Sequence, residues 1–291
     1  MLPSRTEDIM ERLNLPPPDA GPAPTRPTEA VTIGFADAIS RTIIREVATE
    51  IPVQVLFGGV PFGIMMATPA DLVDFAYGFS LTEGVIAAPA EIRGVSVEAA
   101  DGAVRLAIDV VGVRLQAHLA RKRAMTGRTS CGLCGVDDLA ALPRAGAPSG
   151  TAPSLQLGAI ARALGALDAG QHLNAATRAV HGAAWATLDG EVLDVREDVG
   201  RHNALDKLIG ATLRADRDPA SGFVVVTSRA SFEMVEKAAT FGCRTLVAIS
   251  APTALAIDRA RALDVTLVGI ARRDSVTLFH GAERVLTERG R

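Results

Sequence analysis

The sequence predicts an α/β protein, with an α+β N-terminal domain followed by a three-layer C-terminal domain. Three observations predict it. From Phe223 onward, apolar runs of the kind found in buried strands alternate with helical patterns in the order β-α-β-α-β. Between residues 50 and 120, strand-like runs come instead as hairpins around glycine turns. Hydrophobic residues make up 48% of the 291 residues and aromatics only 4%. The core must therefore rest on Val, Leu, Ile and Ala, which suit buried parallel strands.

Residues 1–29 are expected to be a disordered tail, because Pro16, Pro17, Pro18, Pro22, Pro24 and Pro27 interrupt regular structure. A smaller domain over 30–120 follows. Val53 to Phe57 and Val60 to Met66 read as strands flanking the turn pair Gly58-Gly59. Thr68-Pro69-Ala70-Asp71 reads as a helix start, with Thr68 as the cap, Pro69 in the first position and Asp71 at the positive end. Leu72, Phe75, Ala76 and Phe79 recur at helical spacing, and Gly84 ends the segment. Strands are expected again over Gly94 to Glu98, Val104 to Val110 and Val113 to Leu119. The last alternates Val113, Leu115, Ala117 and Leu119 with Arg114, Gln116 and His118.

Residues 121–153 read as a flexible linker rich in Gly, Pro, Arg and Ser, and 154–288 as the second domain. It opens with a helix over Leu155 to Leu167. A hairpin turns at Asp189-Gly190, and a helix over Asn203 to Leu213 follows, with Asn203 as a cap and Asp206 and Lys207 as solvated helix charges. Strands at Phe223 to Thr227, Thr245 to Ile249 and Val265 to Ile270 alternate with helices at Phe232 to Phe241 and Ala254 to Leu263. This order implies parallel pairing through right-handed crossovers. Val276 to Phe279 reads as an edge strand.

A net charge of −3 carries no global nucleic-acid signature. No long uncharged apolar run suggests a membrane span. Three cysteines, an odd number without a secretory signal, point to a reducing cytoplasmic setting.

Two of those cysteines stand in Cys131-Gly132-Leu133-Cys134-Gly135, just after Arg121, Lys122, Arg123 and Arg128. Nearby cations favour the thiolate, the form that attacks sulfur or binds metal. Three readings are open. A structural zinc site needs four ligands, and Cys243 is the only other thiol, with no second CxxC. A thioredoxin-like redox centre would need a strand before the motif and a helix opening at it. A sulfur-carrying arm needs one reactive thiol, cations and mobility, which Gly127, Gly132 and Gly135 provide. Zinc nucleobase deamination is disfavoured, since no HxE exists and Ser130 precedes Cys131. Cys243 reads as a buried small hydrophobe.

A second constellation lies where the parallel strands end. Open α/β sheets bind ligands outside the carboxyl ends of their strands. Here those ends carry Ser228, Arg229 and Ser231, then Ser250 and Thr253, then Ile270, Ala271, Arg272, Arg273, Asp274 and Ser275. Helix starts with hydroxyls and arginines form a phosphate cradle. The opposing reading is that Ser250 and Thr253 merely cap a helix. In the dense polar run Arg196 to Lys207, His202 reads equally well as a structural histidine, and His181 as structural by default.

Over roughly residues 30–285 the chain resembles the FdhD family of formate dehydrogenase accessory sulfurtransferases. The resemblance is carried by Glu50-Ile51-Pro52, the run Met66 to Leu72, Gly78-Phe79, Thr82-Glu83-Gly84, Cys131 to Gly135, Glu197 to Gly210, Ser228 to Glu233 and Ser250 to Thr253. It implies a C-terminal domain like the cytidine deaminase fold without zinc chemistry, and a cytoplasmic homodimer. It also implies that a cysteine desulfurase loads sulfur as a persulfide on Cys131, with Cys134 as second thiol. That sulfur passes to the molybdenum bis-guanine-dinucleotide cofactor, bound as substrate, before the cofactor enters formate dehydrogenase. A guanine nucleotide could occupy the same place, the family's cofactor segment falls on Ile270 to Ser275, and no permanent metal is expected. The alternative is a non-catalytic cofactor chaperone with zinc at the CxxC; a thiol oxidoreductase is a third. One departure stands out. The family's Thr-Gly-Gly before His181 is replaced by Thr177-Arg178-Ala179-Val180, and an arginine is expected to resist a positive-φ conformation.

Overall fold

The computed structural model describes residues 22–116, 145–272 and 274–287. It opens with a two-stranded antiparallel ribbon, β1 (Thr25–Ile33) and β2 (Ser40–Ala48). The ribbon takes in Thr25 to Glu29, which the sequence assigns to a tail, and residues 1–21 of that expected tail lie outside the described residues. Both strands of the ribbon are edges, so Pro27 in β1, which lacks an N–H, is tolerated.

β3 (Ile51–Phe57) and β4 (Val60–Ala67) form the expected hairpin, with Gly58 and Gly59 both at positive φ, as the tight turn requires. Helix α1 (Leu72–Thr82) crosses to β5 (Ile92–Ala100) and β6 (Ala103–Val110), giving a four-stranded sheet in the order β4-β3-β6-β5 with β3 and β6 parallel. Val53, Val55 and Phe57 alternate into the core, where Phe75 and Phe79 of α1 meet them. Although aromatics are few, several cluster here: the Phe62 ring lies 5.4 Å from Phe79 in an edge-to-face contact.

Two expectations for this region are corrected. Residues 112–116 are helical rather than strand, since the Arg114 and Leu115 N–H groups turn back to the Val111 carbonyl. Leu115 thereby covers Gly58 instead of extending the sheet. Thr68 is no helix cap: Asp71, at φ 53°, holds that position without a side-chain bond, and Thr68 is fully buried.

The second sheet has six strands. β7 (Leu155–Gln156) pairs instead with β14 (Val285–Leu286) in a separate short ladder, and α2 (Leu157–Gly170) and α3 (His172–Thr177) follow β7. β8 (His181–Thr187) and β9 (Val192–Asp198) make a hairpin, after which α4 (Arg201–Arg214) leads to β10 (Gly222–Val226). Then come α5 (Phe232–Phe241), β11 (Thr245–Ala248), α6 (Ala254–Ala262), β12 (Thr266–Gly269) and the edge strand β13 (Thr277–His280). The order is β13-β12-β11-β10-β8-β9, with β10, β11 and β12 parallel. Because side chains alternate across a strand, Phe223 and Val225 pack on one face against α2, while Val224 and Val226 pack on the other against α4 and α5. This is the predicted α/β arrangement of layers.

The two sheets share one continuous core through α1 and α4. Their backbones touch at two glycines. A Cβ on Gly78 would lie 1.8 Å from the Asp206 carbonyl oxygen, and one on Gly210 would lie 1.8 Å from that of Asp74. Only glycine permits this approach.

Candidate functional site

Three loops meet at the carboxyl edge of the parallel strands. Ala230, after β10, forms a parallel bridge with Pro252, after β11, and the Thr253 N–H donates to the Ala230 carbonyl at 3.0 Å. The Ile270 N–H, after β12, donates to the Ser250 carbonyl at 3.1 Å, and the Ala271 N–H to Ala248 at 3.2 Å. The strand-end residues named from the sequence are thus brought together, apart from Arg273, which lies outside the described residues.

Their individual states differ. Ser228 is buried, and its hydroxyl donates to the Arg229 carbonyl; Arg229 itself is exposed. The Ser231 hydroxyl donates to Glu233 at 2.7 Å rather than capping α5. Thr253 caps α6, accepting from the Ala256 N–H at 3.2 Å. Arg272 is exposed and bonds the Ile249 and Ala271 carbonyls, while its own N–H donates to the Ser275 carbonyl at 2.8 Å. The Ser275 hydroxyl turns to the Asp274 carboxylate at 3.1 Å. Ile270 sits at φ +49°, an outlying conformation for a β-branched residue. Such strain persists where a surrounding framework enforces it, commonly in ligand loops.

The same edge receives residues from the antiparallel hairpin. β8 runs against β10, so its beginning lies beside the end of β10: the Gly182 N–H donates to the Thr227 hydroxyl at 2.9 Å. His181 pairs with Asp198, and Arg201 and His202 open α4 directly after it. The Arg201 Nε and His202 Nε2 are buried without a hydrogen-bond partner, and His202 Nε2 lies 3.9 Å from the Glu233 carboxylate. Burial, reinforced by the charges of Arg201 and Lys237 against that of Glu233, lowers His202 to about 4. Burial and Arg201 also lower His181. Burial would raise the Glu233 carboxyl, but the Ser231 hydrogen bond and the charges of His202 and Arg201 hold it below its ordinary value. The pairing of His202 with Glu233 escapes sequence reasoning, because it joins two helix starts 31 residues apart (233 − 202).

Beneath this edge, the polar run from Glu197 to Lys207 is largely structural. Lys207 and Asp198 pair at 2.6 Å, both fully buried. Asp198 also accepts from the Thr68 and Gly200 N–H groups and from the Asn203 amide. Asn203 reaches the Met66 carbonyl as well, so it braces the interior while Gly200 holds the cap position. Asp206 accepts from Thr82 at 2.8 Å and from Lys237 at 2.9 Å. The reading of Asp206 and Lys207 as solvated charges, and of Asn203 as a cap, is thereby overturned. Burial next to α1 and α5 demands partners, and the fold provides them.

Cys131 and Cys134 lie outside the described residues. Where description resumes, the chain is tied down: the Ala145 N–H donates to Glu236, and the Ala145 carbonyl accepts from Arg259 at 2.7 Å. Arg244 bonds the Pro148 and Gly150 carbonyls. Cys243 is fully buried, and burial pushes its thiol up to about 11. It is therefore inert, as expected of a structural cysteine. Among the described residues, no group of three or more His, Cys, Asp or Glu side chains is placed to hold a metal ion. No helix among them is long and apolar enough to cross a membrane.

A model of the FdhD/NarQ family matches residues 48–286. The chain belongs to the FdhD/NarQ family. Relatives named sulfur carrier protein FdhD include one from Xanthomonas campestris pv. campestris, 48% identical over 246 residues (84% of this chain and 88% of the relative). Another, from Bordetella parapertussis, is 46% identical over 242 residues (82% and 87%). A crystal structure of a Desulfotalea psychrophila protein assigned as a formate dehydrogenase accessory protein shares the fold. Its TM-score is 0.71 at 24% identity, over 90% of this chain and 99% of that one.

In this FdhD/NarQ member the expected resistance of Arg178 to a positive φ is overcome. Arg178 does adopt a left-handed conformation, φ +57°, and its N–H bonds the Asn174 carbonyl at 2.9 Å to end α3. The residue is exposed, and the left-handed backbone costs about 1–2 kcal/mol.

Proposed function

We propose that this FdhD/NarQ family member is a sulfur carrier that accepts persulfide sulfur from a cysteine desulfurase and passes it to the molybdenum bis-guanine-dinucleotide cofactor before that cofactor enters formate dehydrogenase. In the loading step the Cys131 thiolate attacks the outer sulfur of the desulfurase persulfide. The donor's S–S bond breaks, its cysteine leaves as a thiolate, and a new S–S bond forms on Cys131. Cys134 is the second thiol: its thiolate either takes the outer sulfur, with Cys131 leaving as a thiolate, or attacks the inner sulfur, forming a Cys131–Cys134 disulfide and releasing the outer sulfur as hydrosulfide. The same reading makes the protein a cytoplasmic homodimer.

The observation that carries the proposal is the convergence of the three strand-end loops, bonded to one another through Ala230, Thr253, Ser250 and Ile270. Two helices, α5 and α6, start at this edge and present their positive ends. Exposed Arg229 and Arg272 stand beside them, and the cofactor's nucleotide phosphates would lie against these groups together with Ser228, Ser231 and Thr253. The inertness of buried Cys243 supports assigning the sulfur to the remaining thiols.

The test is complementation of a host lacking this activity. Wild type should restore formate dehydrogenase, Cys131→Ala should not, and Arg272→Ala should weaken guanosine diphosphate binding about tenfold or more. Restoration by Cys131→Ala would refute the assignment.

A further inference from the structure

We infer that the ribbon β1–β2 is an exchanged arm: the ribbon of each protomer lies on the outer face of the β3–β4 hairpin of a second copy of this chain. This rests on the homodimer reading above and names its contact surface; the sulfur chemistry is not involved.

The ribbon is complete as a local element and incomplete as a fold. It belongs to neither large sheet, and each of its strands keeps a free edge; β2 passes beside α3. A two-stranded ribbon alone is marginal in water, and free edges invite a partner. The tip is nonetheless well formed. The Ala38 N–H donates to the Gly34 carbonyl at 3.0 Å, and the Gly34 N–H to that of Ile39 at 3.1 Å. That turn presents Phe35 wholly to solvent. By the register, Val31, Ile33 and Ile44 share one face with Glu29 and Glu46, whereas Arg26, Arg41 and Arg45 lie on the other. Of the fifteen large hydrophobic side chains exposed among the described residues, six stand on this ribbon: Val31, Ile33, Phe35, Ile39, Ile44 and Val47. They form a patch, not the scatter normal on a surface.

Two arguments select a second copy as the cover. The first is permanence. A carrier that alternates between a donor and an acceptor would leave the patch in water between encounters, whereas an obligate partner of the same chain keeps it covered. The second is area. Each strand of the ribbon has nine residues. At about 3.4 Å per residue and about 4.8 Å between strands, one ribbon face is on the order of 300 Å². One ribbon on one surface removes about 600 Å² in total, short of the roughly 1,000 Å² a specific interface needs. Reciprocal exchange doubles this to about 1,200 Å² and clears that limit.

The receiving surface stands at the root of the arm. Thr49 and Glu50 lead from β2 straight into β3. Ile64 and Met66 pair with Gln54 and Pro52 on the face turned away from the Val53 and Val55 core, and both are exposed. Arm and surface thus sit side by side on one protomer. A two-fold axis beside the root brings each arm onto the other's surface at once, as a self-complementary contact requires.

Sedimentation of the full chain tests this. Wild type should be a dimer whose melting temperature rises with protein concentration. The arm variant Ile33→Asp/Ile44→Asp and the surface variant Ile64→Lys/Met66→Lys should each self-associate about a hundredfold more weakly, since each puts two charges into an apolar contact. Both should still unfold cooperatively, at a melting temperature independent of concentration. An equimolar mixture of the two should recover the dimer, because acidic arms then meet basic surfaces while the reciprocal contact is native. A monomeric wild type would overturn the arm and the homodimer reading together. A dimer that survives in the arm variant, or one lost there and not restored in the mixture, would overturn the exchange and leave the homodimer reading in place.

Discussion

The Lys207 ammonium lies 2.6 Å from the Asp198 carboxylate with both side chains sealed from solvent. The pair joins the two sheets, because Lys207 also donates to the Thr68 carbonyl at 2.9 Å and Asp198 accepts from the Thr68 N–H at 3.0 Å, 130 residues away. Arg201 and His202 open the same helix, at the carboxyl edge of the parallel strands. The structural pair thus sets where α4 begins, and so where its first residues point.

Removing one partner of a buried ion pair leaves the other uncompensated, which costs about 3–5 kcal/mol. Lys207→Met should lower unfolding free energy by that amount in urea titration. A loss below about 1 kcal/mol would show that Asp198 is satisfied by its three N–H donors alone.

His202 makes stability depend on pH. Its folded value, about 4, lies below the ordinary 6.5. The unfolded chain therefore binds more protons between those values, so stability is complete above about pH 6.5 and falls as pH drops toward 4. His181 is shifted the same way, and its window begins at the same upper end. The His202 contribution is at most about 3 kcal/mol. Denaturation midpoints from pH 7 to 4 should fall steeply for wild type and less steeply for His202→Gln. Parallel slopes would contradict the assignment.

Arg178 occupies a left-handed helix end where glycine is the unstrained choice. Arg178→Gly should raise stability by about 0.5–1 kcal/mol in thermal unfolding, with ligand binding unchanged. A lower melting temperature would show that the arginine side chain earns its place by an interaction of its own.

Cys243 is fully buried with its thiol raised to about 11. In a Cys131→Ser/Cys134→Ser protein, a thiol reagent should react only on unfolding. Prompt reaction in the native state would reopen Cys243 as a sulfur site.

The strands and helices of the second sheet are legible in the sequence because burial on both faces leaves unbroken apolar runs such as Val224, Val225 and Val226. The turn glycines Gly58 and Gly59 are legible for the same local reason. What the sequence hides is non-local. A charge at a helix position reads as solvated until its partner is known, and Asp206 finds Lys237 31 residues on. Thr68 has every local mark of a cap, yet tertiary bonds to Asp198, Val199 and Lys207 claim it. The start of the ribbon is hidden by Pro27, which an edge strand tolerates. At the site, the strand-end loops follow from the β-α-β order alone, whereas the meeting of His202 with Glu233 depends on β8 running antiparallel to β10, which no local pattern records.

The central claim is sulfur carried on Cys131, and peptide mass spectrometry measures it most directly. After incubation with a cysteine desulfurase and cysteine, the peptide holding Cys131 should gain the mass of one sulfur atom, removable by reductant and absent in Cys131→Ala. An unmodified peptide in wild type, or added sulfur that persists in Cys131→Ala, would contradict the account.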